Sequence, residues 1–269
     1  MTDEGKNLLG CIGDVARILC LEDGQTLVVR SVLQGNFLLT SVFGPASIQK
    51  KWAKLALGAE DHFMIADAKY GQIDADSGMV LKHWGDHTPP CNVLEVGANE
   101  EDLAAIFAEQ GHNVTGIDLR PWGTTFKNYT RMEGDFVALA PLLQPDFDVA
   151  VSTSAIEHFG LNVYGSPVVE DYDAQAMAAM YRLLKPGGTC YITVPYGSTF
   201  LDDGGHWRVY NRETLQQRII GEFAIEEKIF FKSGGCVVPD VDGIVAESDA
   251  DAWSGDPPHV TVFLRMRKA

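Results

Sequence analysis

Paired cysteines, long apolar runs and an excess of positive charge are all missing from this sequence of 269 residues. None of its five cysteines forms a Cys-x-x-Cys pair, and an odd number argues against a disulfide framework, so we expect a reduced, cytoplasmic protein. No apolar run approaches the roughly 20 residues that cross a bilayer, which argues against a membrane protein. The first residues, MTDEGKN, lack the basic start of a signal peptide, so we expect none.

Positive charge is scarce: 21 lysines and arginines face 37 aspartates and glutamates, and the formal net charge is -16. Nucleic acids and anionic membranes attract proteins mainly through positive charge, so both are disfavoured as partners. The simplest interpretation of the acidic surplus is solubility.

Glycine is missing where a dinucleotide-binding loop needs it. The stretch Cys91–Asp118 has the pattern strand, tight loop, helix, strand and terminal acid, but its loop keeps only Gly97 of the Gly-x-Gly-x-x-Gly motif. Glu95 ends the first strand, and Glu100 and Glu101 would repel a pyrophosphate. This acidic loop favours a cofactor that carries positive charge over NAD.

Strands and helices alternate from residue 91 onward, which predicts a mostly parallel α/β sheet. Ser233–Pro258, which is acidic and rich in glycine and proline, is predicted to be a long loop. The predicted strands cover 92–96, 114–117, 129–132, 146–152, 189–194, 223–231 and 260–266, and the predicted helices cover 102–110, 174–184 and 213–220.

Residues 1–90 form a separate N-terminal segment ahead of the main domain at 91–269. Apolar spacing predicts helices over Asn7–Leu21 and Ser47–Leu57, and apolar runs predict strands over Thr26–Leu33 and Phe37–Val42. The sequence leaves open whether this segment is a cap over the sheet or a lid that selects substrate.

Five motifs in this order resemble those of class I S-adenosylmethionine-dependent methyltransferases of the small-molecule branch. They are the first-strand motif Val93–Asn99, the second-strand motif Val114–Leu119, the adenine contact Gly134–Phe136, the fourth-strand motif Phe147–His158 and the turn Leu183–Thr189 before the fifth strand. The resemblance covers about residues 91–200, and it is the order and spacing of the motifs that make it specific.

The resemblance implies a three-layer, doubly wound Rossmann-like sheet, mostly parallel with an antiparallel C-terminal strand, and S-adenosylmethionine as cofactor. Asp118 would accept from the ribose hydroxyls. The loop departs from the family at Asn99 and Glu101, where glycine is usual, so a homologue without turnover is an alternative. The predicted cofactor-binding residues are Glu95, Gly97, Asn99, Asp118, Leu119, Asp135, Phe136 and Ser152.

Methyl transfer needs a nucleophile held in line with the sulfonium carbon and a base for its proton. His158 and His206 are the candidate bases, because a histidine has an ordinary pKa near 6.5. Glu157 is the third catalytic candidate, although the Glu157-His158 pair could merely close its loop. These groups together with Asp202 and Asp203 do not follow a recognised ligand pattern, so we predict no metal site.

Tyr196, Arg208 and Tyr210 border the expected cleft and are predicted to bind substrate. The long segment Phe159–Pro167 resembles an insertion in methyltransferase-like proteins associated with glycans and secondary metabolites. We therefore expect O-methylation of a small, polar, sugar-like acceptor or secondary metabolite. A nicotinamide-dependent oxidoreductase is a weaker alternative, and the sequence leaves open whether the chain forms a homodimer.

Overall fold

The structure is a computed structural model. It describes residues 16–20, 26–31, 37–41, 63–65, 75–84, 87, 90–98, 103–120, 127–202, 205–232, 243–254 and 260–269. The contacts between residues divide the chain into two compact units, one of Met1–Asp74 with Glu100–Asp102 and one of Ala75–Asn99 with Leu103–Ala269. The main unit thus begins at residue 75, whereas the sequence predicts a start at residue 91.

The N-terminal unit contains a four-stranded sheet of β1 (Ala16–Cys20), β2 (Thr26–Ser31), β3 (Phe37–Ser41) and β4 (Phe63–Ile65) in that order. The prediction of a helix through Leu21 is wrong, because residues 16–20 pair antiparallel with β2. Apolar spacing within one segment cannot detect a cross-strand partner, and here pairing with β2 outweighs the helical spacing. The predicted helix Ser47–Leu57 lies outside the described residues.

The main unit is built on an eight-stranded sheet with the order β11-β10-β12-β9-β8-β5-β6-β7. The five strands β5 to β9 are parallel, β12 runs antiparallel to β9 and β10, and β11 runs antiparallel to β10. The predicted fold class is confirmed, including the antiparallel C-terminal strand. The strands are β5 (Asn92–Val96), β6 (Asn113–Asp118), β7 (Tyr129–Glu133), β8 (Phe147–Thr153), β9 (Leu184–Tyr196), β10 (Ala224–Lys232), β11 (Ile244–Val245) and β12 (Val260–Arg267).

Helices connect the strands of the main sheet. The predicted loop Ser233–Pro258 is only partly a loop, since its described portion contains β11 and a short helix whose Asp251 accepts from the Tyr196 hydroxyl. The helices are α1 (Ala75–Lys82), α2 (Leu103–Glu109), α3 (Phe136–Leu139), α4 (Tyr172–Leu183), α5 (Arg212–Thr214), which continues as a π-helix over Leu215–Ile220, and α6 (Glu247–Asp251).

The core forms where α4 packs against the central strands. Met177, Met180 and Leu183 lie one helical turn apart on a single face and are all buried. The helix ends before Pro186, which cannot continue it, and the chain turns directly into β9. Within the described parts of the chain, no helix has the length and apolar character needed to cross a membrane.

Candidate active site

The carboxyl ends of the five parallel strands meet along one edge of the main sheet. Polar and glycine residues follow the strands there, and such an edge is where open α/β sheets bind ligands. The residues at the strand ends are Gly97 after β5, Asp118 in β6, Asp135 after β7, Ser154 after β8 and Tyr196 in β9.

Gly97 makes the first turn of this edge possible. Its backbone lies in the left-handed region at φ +86°, and its amide donates to the Ile117 carbonyl at 2.9 Å. A Cβ atom on Gly97 would lie 2.3 Å from the Cβ of Ala155, closer than any real contact. The Ser152 hydroxyl donates to the Val96 carbonyl at 2.8 Å, so Ser152 ties β8 to β5 beside the turn. The glycine therefore permits a close approach of the β5 and β8 loops.

We expect Gly97→Ala to lower the free energy of unfolding by about 3 kcal/mol, because it combines left-handed strain with the clash against Ala155. Gly187→Ala is the matched control, since Gly187 has φ +76° but nothing within 4 Å of its Cβ position. Gly187→Ala should lower the free energy of unfolding by only about 1 kcal/mol. Urea unfolding of both variants measures the difference, and equal losses would contradict a tight approach at Ala155.

Asp118 lies at the end of β6 with a buried carboxylate. Arg120 binds both of its oxygens: the Arg120 amide and Nε donate to Oδ1 at 2.8 and 3.1 Å, and Nη2 donates to Oδ2 at 3.3 Å. The same guanidinium lies 4.1 Å from the ring centroid of Tyr164. Leu119, between the two, is half-buried. A ligand whose hydroxyl donates to Asp118 must therefore compete with the Arg120 guanidinium for the carboxylate oxygens. The hydrogen bond from the Arg120 amide belongs to the main chain and stays in place.

Asp135 begins α3 as its N-cap, and its Oδ1 accepts from the Ala138 amide at 3.0 Å. The hydroxyl of Tyr172 donates to the same oxygen at 2.8 Å. Phe136, by contrast, is buried in the core. Of the two residues predicted to contact adenine, Asp135 thus has a half-buried carboxylate at the sheet edge, whereas the ring of Phe136 lies in the interior.

His158 and His206, predicted separately, are neighbours. His158 ends the short 3-10 turn Ile156–His158, and its Nδ1 is hydrogen-bonded to the main-chain carbonyl of His206. A second hydrogen bond joins the same two segments, since the Arg208 amide donates to the Glu157 carbonyl at 3.1 Å. The ring of Tyr164 lies edge-on to His158, 5.8 Å away. The two candidate bases therefore share one site, to which His206 contributes a main-chain acceptor.

Glu157 points into the interior, where only 2% of it is exposed. Burial raises the pKa of its carboxyl to about 8, the nearby Asp76 adds to the rise, and a hydrogen bond with Ser154 opposes it. The Ser154 hydroxyl donates its hydrogen to Asp76, and Ser154 has φ +42°, a strained conformation at the end of β8. A carboxyl of this kind is neutral at physiological pH.

Asp76 and Ser154 are site residues that the sequence analysis missed. Asp76 lies in the first turn of α1, inside the segment assigned to a separate cap. The signal was present, because Asp76-Ser77 precedes the apolar run Met79–Leu81 as at a helix start. Its contact with Ser154 spans 78 residues of sequence, which no local pattern reveals.

The three residues predicted to bind substrate are buried and have partners within the protein. Arg208 is 1% exposed and donates to Asp202 at 2.9 Å and to the Phe159 carbonyl at 2.5 Å. Tyr210 donates to Asp173 at 2.8 Å, and Tyr196 is buried as well. In this structure these side chains hold the loops of the edge together, and substrate binding by them stays a prediction.

The described residues do not include Asn99, Glu101 and Asp203, which the sequence singles out. Glu95 is buried in β5, next to the last residue of that strand. Across the described ranges, no three histidine, cysteine or acidic side chains are grouped so that they could hold a metal ion.

A family model described as a methyltransferase domain matches residues 68–224, more than half of the chain. Curated relatives include the demethylmenaquinone methyltransferases of Chlorobaculum parvum and Chlorobaculum tepidum, each 30% identical over 146 residues. The match covers 52% of this chain and 52% of each relative, so the chain spans about half the length of the curated relatives it matches.

Two solved structures are similar in fold. One is a putative S-adenosylmethionine-dependent methyltransferase from Listeria monocytogenes, with a TM-score of 0.50 and 14% identity over 72% of this chain and 97% of that one. The other is TehB from Haemophilus influenzae, with a TM-score of 0.50 and 14% identity over 71% of this chain and 62% of that one. At this identity the two likenesses establish the fold.

Proposed function

Given that this chain belongs to the methyltransferase domain family, we propose that it transfers the methyl group of S-adenosylmethionine to an oxygen atom of a small acceptor, with His158 as the base. The family predicted from the motifs is confirmed. The cofactor, when bound, supplies an electrophilic methyl group on a positively charged sulfur. The remaining chemistry belongs to the residues of the sheet edge.

The residues at this edge fit that cofactor. Gly97 makes the tight turn after β5 at φ +86° and lets the loop after β8 approach it closely, which shapes the edge where the cofactor would lie. Asp118 is a buried acid that accepts hydrogen bonds, as ribose hydroxyls require. Glu95 is a further acid, buried in the strand that precedes Gly97, and its charged form favours a cationic ligand. Glu95, Gly97, Asp118 and Asp135 would hold the cofactor.

The hydrogen bond between His158 and the His206 carbonyl is the observation that carries the proposed catalytic role. A carbonyl oxygen only accepts, so Nδ1 of His158 must carry the proton. In the neutral ring Nε2 then has the lone pair, and it is the nitrogen that takes the acceptor's hydroxyl proton. His206 orients that ring through its backbone, while Glu157 remains in the interior.

An exposed ring beside His158 supports an acceptor that has a flat face. Tyr164, whose ring lies edge-on to His158, is 52% exposed, and Trp207, whose ring stacks with that of His206, is 37% exposed. Tyr164 belongs to the long segment that suggested a sugar-like acceptor, and both sugars and planar metabolites pack against such rings. The curated relatives are named for demethylmenaquinone, which supports a small-molecule acceptor.

A second candidate, a binding protein without turnover, is favoured by one observation. Arg120 already binds both oxygens of Asp118, so the ribose site is filled by the protein itself. In the first proposal Arg120 moves away from Oδ2 when ribose hydroxyls arrive. In the second candidate Arg120 stays on both oxygens of Asp118, and the cofactor does not bind productively.

Calorimetric titration with S-adenosylmethionine, followed by assay of released S-adenosylhomocysteine with a panel of hydroxylated acceptors, separates these outcomes. We expect binding, and we expect Asp118→Asn to weaken it about 10-fold to 100-fold, because the neutral amide loses charge-assisted hydrogen bonds. No heat at millimolar cofactor with folded protein would overturn the proposal. Binding without product for any acceptor would favour the second candidate.

A further inference from the structure

Asp135 is held by an unusual pair of donors. Its Oδ1 accepts both the Ala138 amide, at 3.0 Å, and the Tyr172 hydroxyl, at 2.8 Å. No donor from the described part of the chain reaches Oδ2. Two donors on one oxygen fix the orientation of the carboxylate, so that the other oxygen remains for a ligand at the sheet edge.

Tyr172 is buried and is contacted by several neighbouring residues. It is the first residue of α4 and only 8% exposed. Its ring packs against Phe159 at 6.3 Å, and a Cβ on Gly160 would come within 2.7 Å of its own Cβ. Burial, followed by the bond to Asp135, raises the pKa of the phenol to about 12, so the hydroxyl keeps its proton and donates. The donor is therefore rigid and always protonated at physiological pH.

An N-cap alone does not require Tyr172. The Ala138 amide already satisfies the capping role of Asp135, which needs a single bond of this kind. The second donor comes from 37 residues away and is aimed at the oxygen that is already occupied. Its effect is on the orientation of the carboxylate.

We propose that Tyr172 is a positioning residue for cofactor recognition: by holding Oδ1 of Asp135 it leaves Oδ2 to accept a hydrogen bond from the exocyclic amine of adenine. This inference rests on the proposed function, since it presupposes that S-adenosylmethionine binds at this edge with its adenine at Asp135. It makes Tyr172 a determinant of base selectivity without any contact to the cofactor.

The test compares the affinity for S-adenosylhomocysteine with that for S-inosylhomocysteine, in which a carbonyl oxygen replaces the exocyclic amine. The native protein should prefer the adenosyl compound about 30-fold or more, because the carbonyl oxygen would face the carboxylate without a hydrogen. Tyr172→Phe should reduce this preference about 5-fold to 10-fold, mainly by weakening the adenosyl compound. Circular dichroism first establishes that the variant is folded.

Two further variants separate positioning from general damage. Tyr181→Phe removes a hydroxyl from the same helix, where no hydrogen bond to that hydroxyl occurs among the described residues, and should leave the preference unchanged. In an Asp135→Asn background, Tyr172→Phe should have no additional effect on the preference. Removing the carboxylate removes what Tyr172 orients.

The outcomes are distinct. If the native protein binds neither compound, the proposed function fails, and the role of Tyr172 fails with it. If the native protein discriminates but Tyr172→Phe keeps the preference within twofold, the role of Tyr172 is overturned while the proposed function stands. An equal loss of both affinities would also overturn it, because a purely structural defect does not distinguish an amine from a carbonyl.

Discussion

His158→Asn should lower kcat about 100-fold to 1000-fold and leave the affinity for S-adenosylmethionine within twofold of the native value. The reason lies in the geometry of the ring, whose Nδ1 donates to the His206 carbonyl. Asparagine keeps an N–H donor about where Nδ1 lies but has no basic nitrogen at the position of Nε2. The variant therefore removes general base catalysis, which contributes on the order of 10²-fold to 10⁴-fold, and retains the hydrogen bond. Initial rates at saturating cofactor measure the effect.

His206→Asn is the matched control. The hydrogen bond uses the main-chain carbonyl of residue 206, which every side chain retains. We expect kcat to change less than about fivefold, against the 100-fold or greater loss at His158. A larger loss at His206 than at His158 would reverse the assignment of the base. A His158→Asn variant with more than a third of the native kcat would remove the assignment altogether.

Glu157→Gln should stabilise the protein at alkaline pH and have little effect at pH 4. Burial, with Asp76 as a secondary cause, raises the pKa of the native carboxyl from its ordinary 4.5 to about 8. Between these two values the folded state holds a proton that the unfolded state releases, so the stability of the native protein falls as pH rises. Above pH 8 the free energy of unfolding of the native protein is lowered by the full amount of this shift, on the order of 5 kcal/mol. Glutamine is neutral at every pH and avoids it.

Urea unfolding at pH 4, 6 and 9 measures this difference between Glu157→Gln and the native protein. Glu170→Gln supplies the control, because Glu170 is exposed and its substitution should leave the pH dependence unchanged. A stability difference that is the same at all three pH values would show that Glu157 does not titrate differently in the folded state. A variant that is less stable at pH 9 would contradict the direction of the shift.

The family and the order of the main strands of this protein follow from short stretches of its sequence. The order and spacing of five short motifs between about residues 91 and 200 are enough to indicate the family, because turn geometry and acids at strand ends are properties of short stretches. The alternation of strands and helices predicted the parallel sheet, and the family resemblance implied its antiparallel C-terminal strand. The same reasoning was wrong at Ala16–Cys20, where a cross-strand partner outweighed helical spacing.

Only the tertiary structure decided how the site is assembled. His158 meets the His206 carbonyl across 48 residues, and Asp76 meets Ser154 across 78. Arg208 gives no sequence signal that it is almost completely buried. Contacts of this kind exist only after the sheet has formed and brought distant loops to one edge, so they depend on packing between elements. The sequence by itself determined the family and the ends of its strands, and the folded sheet determined which side chains meet there.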